Sequence, residues 1–147
     1  MKVVVLGGSG SVGLEITKAL LSCDECQVSS SYCKNPDPLQ GLVEQNRDLL
    51  RAFRIDLEDF ASIEAVMRGE INHLGGLDVI VNAAGAAGKP DFLIRADVER
   101  IESVISVNLT GPILATKFAV PFLLEKQKSA VLNISSVSAV VPTGGVT

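Results

Sequence analysis

Short apolar runs alternate with stretches of helical apolar spacing along this 147-residue sequence. Runs rich in Val, Ile and Leu predict buried strands, and apolar residues three and four positions apart predict the helices between them. The predicted strands are residues 3–6, 28–32, 50–55, 77–82 and 130–134. The predicted helices are residues 12–21, 39–49, 60–74 and 98–109, the last continuing to residue 124. This alternation predicts a single α/β domain in which helices cover both faces of a parallel sheet.

The composition excludes several classes of protein. A hydrophobic content of 47% with 20% charged residues is typical of a globular domain with a core. The net charge of −4 and the pI near 5.0 argue against a nucleic-acid or membrane-surface binder, which needs a basic patch. No apolar run approaches the roughly 18 residues of a membrane-spanning helix. We also expect no signal peptide, because the apolar run after Lys2 is short.

The cysteines indicate a reducing compartment. Three cysteines do not make a disulfide framework in a chain of this length. Cys23 and Cys26 have the spacing of a redox or half-zinc motif, but the sequence has no second pair and His73 is its single histidine. We therefore expect no metal site, and we expect the protein in the cytoplasm or in an organelle matrix.

Three spaced glycines follow the first predicted strand and begin the first predicted helix. Gly7 allows a tight turn, Gly10 lets the backbone approach a pyrophosphate, and Gly13 lets the helix pack closely on the sheet. The helix N-terminus then offers free N–H groups and a partial positive charge to an anion. A ligand-free turn is the alternative, but the strand-to-helix context favours a nucleotide. The predicted contacts are Gly7, Ser9, Gly10, Ser11, Val12 and Gly13.

The end of the second strand bears on the choice between NAD and NADP. An acid at this place would bind the ribose 2′-hydroxyl of NAD. Residues 29–35 contain no acid and one base, Lys34, which follows Tyr32 and Cys33. We expect Tyr32 and Lys34 to contact the cofactor. Lys34 or the serine hydroxyls would attract a 2′-phosphate, so the segment favours NADP, with NAD as the alternative. Lys34 as a solvated loop residue is the simpler interpretation.

Four further motifs occur in a characteristic order. Asp56-Leu57 follows the third strand, and Asn82-Ala83-Ala84-Gly85 follows the fourth. The motif VNLTG spans residues 107–111, and NISS spans residues 133–136. Together they resemble the short-chain dehydrogenase/reductase family, and most closely the N-terminal portion of its 3-oxoacyl-[acyl-carrier-protein] reductases. The resemblance covers essentially all residues and implies a Rossmann-type doubly wound sheet of order 3-2-1-4-5.

The resemblance implies roles for the matching residues in cofactor binding. Asp56 would bind the adenine amino group, and the Leu57 amide would face the same ring. The segment formed by Asn82, Ala83, Ala84 and Gly85 would pass beside the adenosine ribose and steady the centre of the sheet. Without the resemblance, the simpler interpretation of Asp56 is a helix cap, because an Asp that follows a strand often has that role.

The resemblance also implies two catalytic residues. Asn108 would interrupt its helix and hold a water of a proton relay. Without the resemblance, the simpler interpretation of Asn108 is a buried amide with its hydrogen bonds satisfied. Ser136 would bind the substrate carbonyl or hydroxyl, with Ser135 as its close competitor. The family pattern places the active serine second in the pair, directly before Val137.

Two departures from the family pattern occur near the cofactor motifs. Leu6 stands where the compact reductases have Thr, and Ser11 replaces the middle glycine. The spacing of the glycines instead fits the extended branch of the family, the epimerases and dehydratases. Ala83 in place of a second Asn is also typical of that branch. VNLTG and NISS still favour the compact reductases.

The family's chemistry also needs a Tyr and a Lys in a Y-x-x-x-K motif, and the expected place of the Tyr falls just past Thr147. The single tyrosine, Tyr32, lies on the second strand. We therefore interpret residues 1–147 as an NAD(P)-binding domain incomplete at its C-terminus.

The implied function is interconversion of a carbonyl and an alcohol by hydride transfer on a small-molecule substrate. The alternatives are a non-catalytic dinucleotide-binding module and an epimerase-like enzyme. The resemblance implies a homo-oligomer, a tetramer or dimer, for the full-length protein.

Overall fold

The computed structural model describes residues 1–23, 25–86 and 93–141, and its centre is a five-stranded parallel sheet. The strands are β1 (Lys2–Leu6), β2 (Gln27–Tyr32), β3 (Leu50–Arg54), β4 (Val79–Asn82) and β5 (Ala130–Asn133). Their order is β3-β2-β1-β4-β5, which confirms the predicted order. The register pairs Val5 with Ser30 on one side of β1 and with Val81 on the other. The chain therefore crosses over at β1, where the strand order reverses.

Five α-helices flank the sheet within the described part of the chain. They are α1 (Ser11–Leu21), α2 (Asp37–Gln45), α3 (Phe60–Leu74), α4 (Val98–Ile105) and α5 (Gly111–Leu124). The helix predicted over residues 39–49 begins earlier, because Pro38 occupies the first turn, where a missing N–H leaves no bond unmade. It also ends earlier, at Gln45. The loop-like stretch expected at residues 142–147 lies outside the described residues.

Two apolar cores lie on the two faces of the sheet. One joins Val4 and Ile80 to α3 and α5 through Ile63, Met67 and Ala115, all fully buried. The other lies between the sheet and α1 and α2, and it contains Val3, Val5 and Cys26. Fully burying each such side chain contributes about 1.5–3 kcal/mol. Cys26 is thus a core residue.

A continuous helix runs from Val98 to Leu124, and a π-helical turn over Ser106–Thr110 separates α4 from α5. By length and composition this 27-residue helix, with a mean hydropathy of 1.4 in its most apolar part, could cross a membrane. The expectation that the sequence contains no stretch long and apolar enough to cross a membrane is therefore wrong. One such helix is weak evidence, since core helices of soluble proteins pass the same test. Ala115, Ala119 and Leu123 indeed lie in the core.

Candidate functional site

The turn between β1 and α1 depends on close backbone packing at two glycines. Gly7 has a φ of +79°, and a Cβ there would lie 2.5 Å from Ala84 Cα. A Cβ on Gly13 would collide with the carbonyl oxygen of Gly7. The first turn of α1 therefore packs on the glycine turn itself, and the turn packs on the residues after β4. This packing directs the N-terminus of α1 to the carboxyl edge of the sheet.

Hydroxyl groups of β2 hold the same turn from the other side. Ser31 Oγ accepts a hydrogen bond from the Gly7 N–H at 2.9 Å, and the Ser31 carbonyl accepts one from the Ser9 N–H at 3.1 Å. Ser30 Oγ lies 2.8 Å from Thr17 Oγ1, which donates its one hydrogen to the Gly13 carbonyl. Ser30 is therefore the donor in that pair. These serines are buried and committed to the fold.

A cleft of about 340 Å³ opens above the carboxyl ends of β1, β2 and β3. Most of the predicted cofactor contacts line it, on three sides: the glycine turn, the segment after β3 and the segment after β4. They are Gly7, Ser9, Gly10, Ser11, Val12, Asp56, Leu57, Ala83, Ala84 and Gly85. Gly10 is the N-cap residue of α1, so the free N–H groups of the first helical turn face this cleft.

Four of the predicted cofactor residues do not line the cleft. Gly13 lies beneath the glycine turn, and Asn82 lies in a neighbouring cavity. Tyr32 ends β2 with its side chain half-buried, and Lys34 is exposed beyond it. The odd-numbered neighbours Ser31 and Cys33 line the cleft instead, because alternate side chains of a strand point to opposite faces.

Asp56 and Cys33 set the electrostatics of the cleft. Asp56 Oδ1 accepts a hydrogen bond from the Glu58 N–H at 3.0 Å, while Oδ2 has no partner among the described residues. Burial raises the pKa of the Cys33 thiol, and the negative charge of Asp56 raises it further. The positive charges of Lys34 and Arg54 act on this pKa in the opposite direction. Acidic and basic groups thus meet at one end of the cleft.

A second cavity of about 350 Å³ adjoins the cleft above β4 and β5. Ala84 lines both spaces, so they are neighbours along the carboxyl edge of the sheet. The Asn82 side-chain N–H₂ donates to Asn133 Oδ1 at 2.7 Å and to Thr116 Oγ1 at 3.1 Å. The buried Asn82 Oδ1 has no partner within the described residues. This amide cluster ties β4, β5 and α5 together beside the cavity.

Asn108 lines the second cavity from the π-helical turn. Its Oδ1 accepts from the Ala86 N–H and its Nδ2 donates to the Ala86 carbonyl, both at 2.9 Å. The side chain thus clamps the segment after β4 and is not a buried amide, because it is exposed. The π-helical turn agrees with the expectation that the helix is interrupted here.

Ser136 lies three residues beyond the end of β5. Its Oγ accepts a hydrogen bond from the Ser138 N–H at 3.2 Å and caps a short 3₁₀ turn over Val137–Ala139. Within the described residues no hydrogen bond joins Ser136 to Asn108. The structure therefore places the two predicted catalytic residues at the same edge of the sheet without a hydrogen bond between them.

The family model for short chain dehydrogenases matches residues 1–147. The chain belongs to this family. Nodulation protein G of Azospirillum brasilense is 30% identical over 147 residues, and the match covers 98% of this chain and 59% of that protein. Glucose 1-dehydrogenase 2 of Bacillus subtilis is 29% identical over 143 residues, with coverages of 95% and 55%. The chain thus spans less than two thirds of these relatives.

Two solved structures of serine dehydrogenase superpose closely on the chain. Serine dehydrogenase from Escherichia coli has a TM-score of 0.86 at 26% identity, and the match covers 99% of this chain and 66% of that one. A closed form of serine dehydrogenase complexed with NADP⁺ has a TM-score of 0.87 at 26% identity, with coverages of 99% and 58%. The chain therefore has the Rossmann-type doubly wound fold that the sequence predicted.

Sequence reasoning missed several residues of the cleft. They are Ser31, Cys33, Ile55, Glu58 and Val107. The alternation of side chains along β2 could have identified Ser31 and Cys33. Residues two apart in a strand point to the same face, and both lie at the end of β2 that borders the cleft. Val107 belongs to the VNLTG motif, but no part of the sequence predicted that it lines the cleft, because the π-helical turn presents it there.

Proposed function

We propose that this chain carries the cofactor-binding part of an NADP(H)-dependent enzyme that interconverts a carbonyl and an alcohol. The observation that carries the proposal is the cleft of about 340 Å³ above β1, in which the N-terminus of α1 faces Asp56. When bound, the nicotinamide cofactor supplies or accepts the hydride. The cleft lies at the crossover of the sheet, where parallel α/β sheets bind their ligands.

The groups around the cleft fit a dinucleotide. The first-turn N–H groups of Ser11 and Val12 suit a pyrophosphate, because they are unpaired within a helix and lie at its positive end. The free Oδ2 of Asp56 suits the adenine amino group, as the Leu57 N–H suits a ring nitrogen. The adjoining second cavity then remains for the nicotinamide end and the substrate, with Asn108 and Ser136 as the residues that orient them.

The proton donor of the proposed reaction is a separate question. A carbonyl that accepts a hydride needs an acid to protonate the developing alkoxide. Tyr32 is the single tyrosine of the sequence and belongs to β2, whereas the second cavity lies above β4 and β5. We propose that Ser136 and Asn108 position the substrate and a water, and that the acid is a Tyr of the whole protein outside these residues.

The preference for NADP(H) rests on the positive charge of Lys34 at the end of β2. Titration of the protein with NADPH and NADH, followed by cofactor fluorescence, tests it. We expect tighter binding of NADPH, and we expect Lys34→Glu to weaken NADPH binding while leaving NADH binding within about twofold. Tighter binding of NADH, or an unchanged affinity for NADPH in Lys34→Glu, would contradict the preference.

Cysteine alkylation gives a second measurement of cleft occupancy. NADP⁺ at ten times its Kd is expected to slow the alkylation of Cys33 by iodoacetamide about tenfold, because only the free protein reacts. The exposed Cys23 is the internal control and should react at an unchanged rate. The raised pKa of Cys33 leaves less thiolate at neutral pH, so its reaction needs a more alkaline buffer than an unperturbed thiol does. Equal protection of both cysteines would place the nucleotide elsewhere.

Exposed apolar side chains on the helix and the edge strand support a further part of the proposal. They are Ile105, Leu109, Ile113, Val120, Leu124, Val131, Leu132 and Ile134. Apolar side chains left exposed in such number are typical of surfaces that another part of a protein, or a second copy of it, covers. We propose that the whole protein is a homo-oligomer, a dimer or tetramer, and sedimentation of the whole protein tests this.

A further inference from the structure

The long helix that contains α4 and α5 is irregular directly before Gly111. The Gly111 N–H donates to the Ser106 carbonyl and so closes the π-helical turn. Pro112 follows and has no N–H to give to the Asn108 carbonyl, which would be its partner in a regular α-helix. The sequence therefore favours a break of the helix at this point, and π-helical turns of this kind are frequent at functional sites.

The backbone of Gly111 packs directly on Leu57. A Cβ at Gly111 would lie 2.6 Å from the Leu57 Cβ, 2.7 Å from the Leu57 carbonyl oxygen and 3.0 Å from the Ser106 carbonyl oxygen. These distances are well inside van der Waals contact. Ala115 and Ala119 follow Gly111 at four-residue spacing and are fully buried, so α5 presents small residues to the core. A side chain at position 111 would therefore displace either the start of α5 or Leu57.

Leu57 belongs to the core and also lines the cleft. It is 5% exposed and packs in the same apolar cluster as Ala115. Its N–H makes no hydrogen bond within the described residues, although the backbone N–H groups of buried residues are nearly always paired. Val107 of the π-helical turn lines the same cleft. A donor without a partner and an apolar residue thus border a space that suits a flat ring with a nitrogen acceptor.

We propose that Gly111 is a positioning residue for the base of the nucleotide. Because Gly111 has no side chain, the first turn of α5 packs against Leu57 and holds the Leu57 N–H at the cleft. Val107 lies four residues earlier on the same helix, so this one contact fixes Val107 and Leu57 relative to each other. Gly111 is not among the residues that line the cleft, and it acts only through Leu57. This inference rests on the proposed function, since it assumes that the adenosine half occupies the cleft.

The test compares ADP with inorganic pyrophosphate, because both carry two phosphates and only ADP carries the base. Gly111→Ala is expected to displace Leu57 and to weaken ADP binding about tenfold, measured by calorimetry, while pyrophosphate binding stays within about twofold. Gly69→Ala is the matched control, because Gly69 lies inside α3, where a Cβ would meet nothing within 4 Å, and ADP binding should not change. An unchanged affinity for ADP in Gly111→Ala, or an equal loss of both ligands, would overturn the role of Gly111 and leave the cleft assignment intact.

An NMR titration of the wild-type protein gives a result that does not depend on the folding of the variant. With ADP, the amide signal of Gly111 should shift saturably together with that of Leu57, because the two residues are in contact. With pyrophosphate, the amide signals of Ser11 and Val12 should shift and that of Gly111 should not, and Gly69 should be unchanged with both ligands. The absence of a Gly111 shift in protein saturated with ADP would overturn the inference alone. Failure of the wild-type protein to bind ADP would overturn the proposed function and this inference together.

Discussion

A chain of residues 1–147 alone is expected to oxidise NADPH at no measurable rate with acetoacetyl thioesters, small diketones or quinones. Ser136 and Asn108 can orient a carbonyl and a water, but neither donates a proton near neutral pH as a tuned phenol does. General acid catalysis contributes about 10²- to 10⁴-fold to the rate. We expect substrate positioning, which can contribute several kcal/mol more, to be weak in this chain as well.

The matched measurement uses a form of the protein that extends through the expected Tyr and Lys. We expect at least a 10⁴-fold difference in NADPH consumption between the two forms, and we expect Ser136→Ala in the extended form to abolish the activity. Ser135→Ala is the control and should retain most of it. Comparable rates from the two forms would show that the acid lies within residues 1–147. Loss of activity in Ser135→Ala alone would show that the wrong serine of the pair was chosen.

The second large effect is expected on stability. Gly7→Ala introduces a Cβ at a φ of +79° and 2.5 Å from the Ala84 backbone, which cannot move without shifting β4. A left-handed conformation costs an alanine about 1–2 kcal/mol, and overpacking typically costs a further 1–3 kcal/mol. We therefore expect the free energy of unfolding to fall by about 2–5 kcal/mol, measured by urea denaturation. Nucleotide binding should be lost with the shape of the turn.

Gly75→Ala is the matched control for the backbone conformation. Gly75 has a φ of +69° at the end of α3, but a Cβ there would meet only the flexible end of the Lys2 side chain, at 2.9 Å. Gly75→Ala should therefore lower the free energy of unfolding by only about 1–2 kcal/mol, the cost of the left-handed conformation. Equal losses in the two variants would show that the contact between Gly7 and Ala84 contributes nothing, and that the two segments can separate freely.

Local signals in the sequence predicted the elements wherever they were strong. The helix Phe60–Leu74 has the predicted bounds, because its apolar period is regular and Gly75 adopts the left-handed conformation that ends it. The position of β1 at the centre of the sheet was predicted from the alternation of strands and helices, the glycine turn after β1 and the family resemblance, and the structure confirms it. The start of α2 was not predicted, because in the sequence a proline in the first helical turn resembles a proline that prevents a helix.

The candidate site was predictable only where one chain segment determines the chemistry. The glycine turn and Asp56-Leu57 line the cleft, since each follows a strand directly. Arg54 belongs to the same edge of the sheet, but its contact with the Cys33 carbonyl depends on the pairing of β3 with β2. The hydrogen bonds of Ser29 and Ser30 in β2 likewise depend on partners in α3 and α1, which no local sequence pattern reveals.

The most direct test of the account is a backbone-amide NMR titration of residues 1–147 with adenosine 2′,5′-bisphosphate. Saturable shifts are predicted for the N–H groups of Ser11, Val12 and Leu57, because these residues line the cleft above β1. The amide signals of Thr116 and Asn133 should not shift, because these residues line the second cavity. Shifts confined to that second cavity, or the absence of any saturable shift, would contradict the assignment of the cleft as the adenosine site.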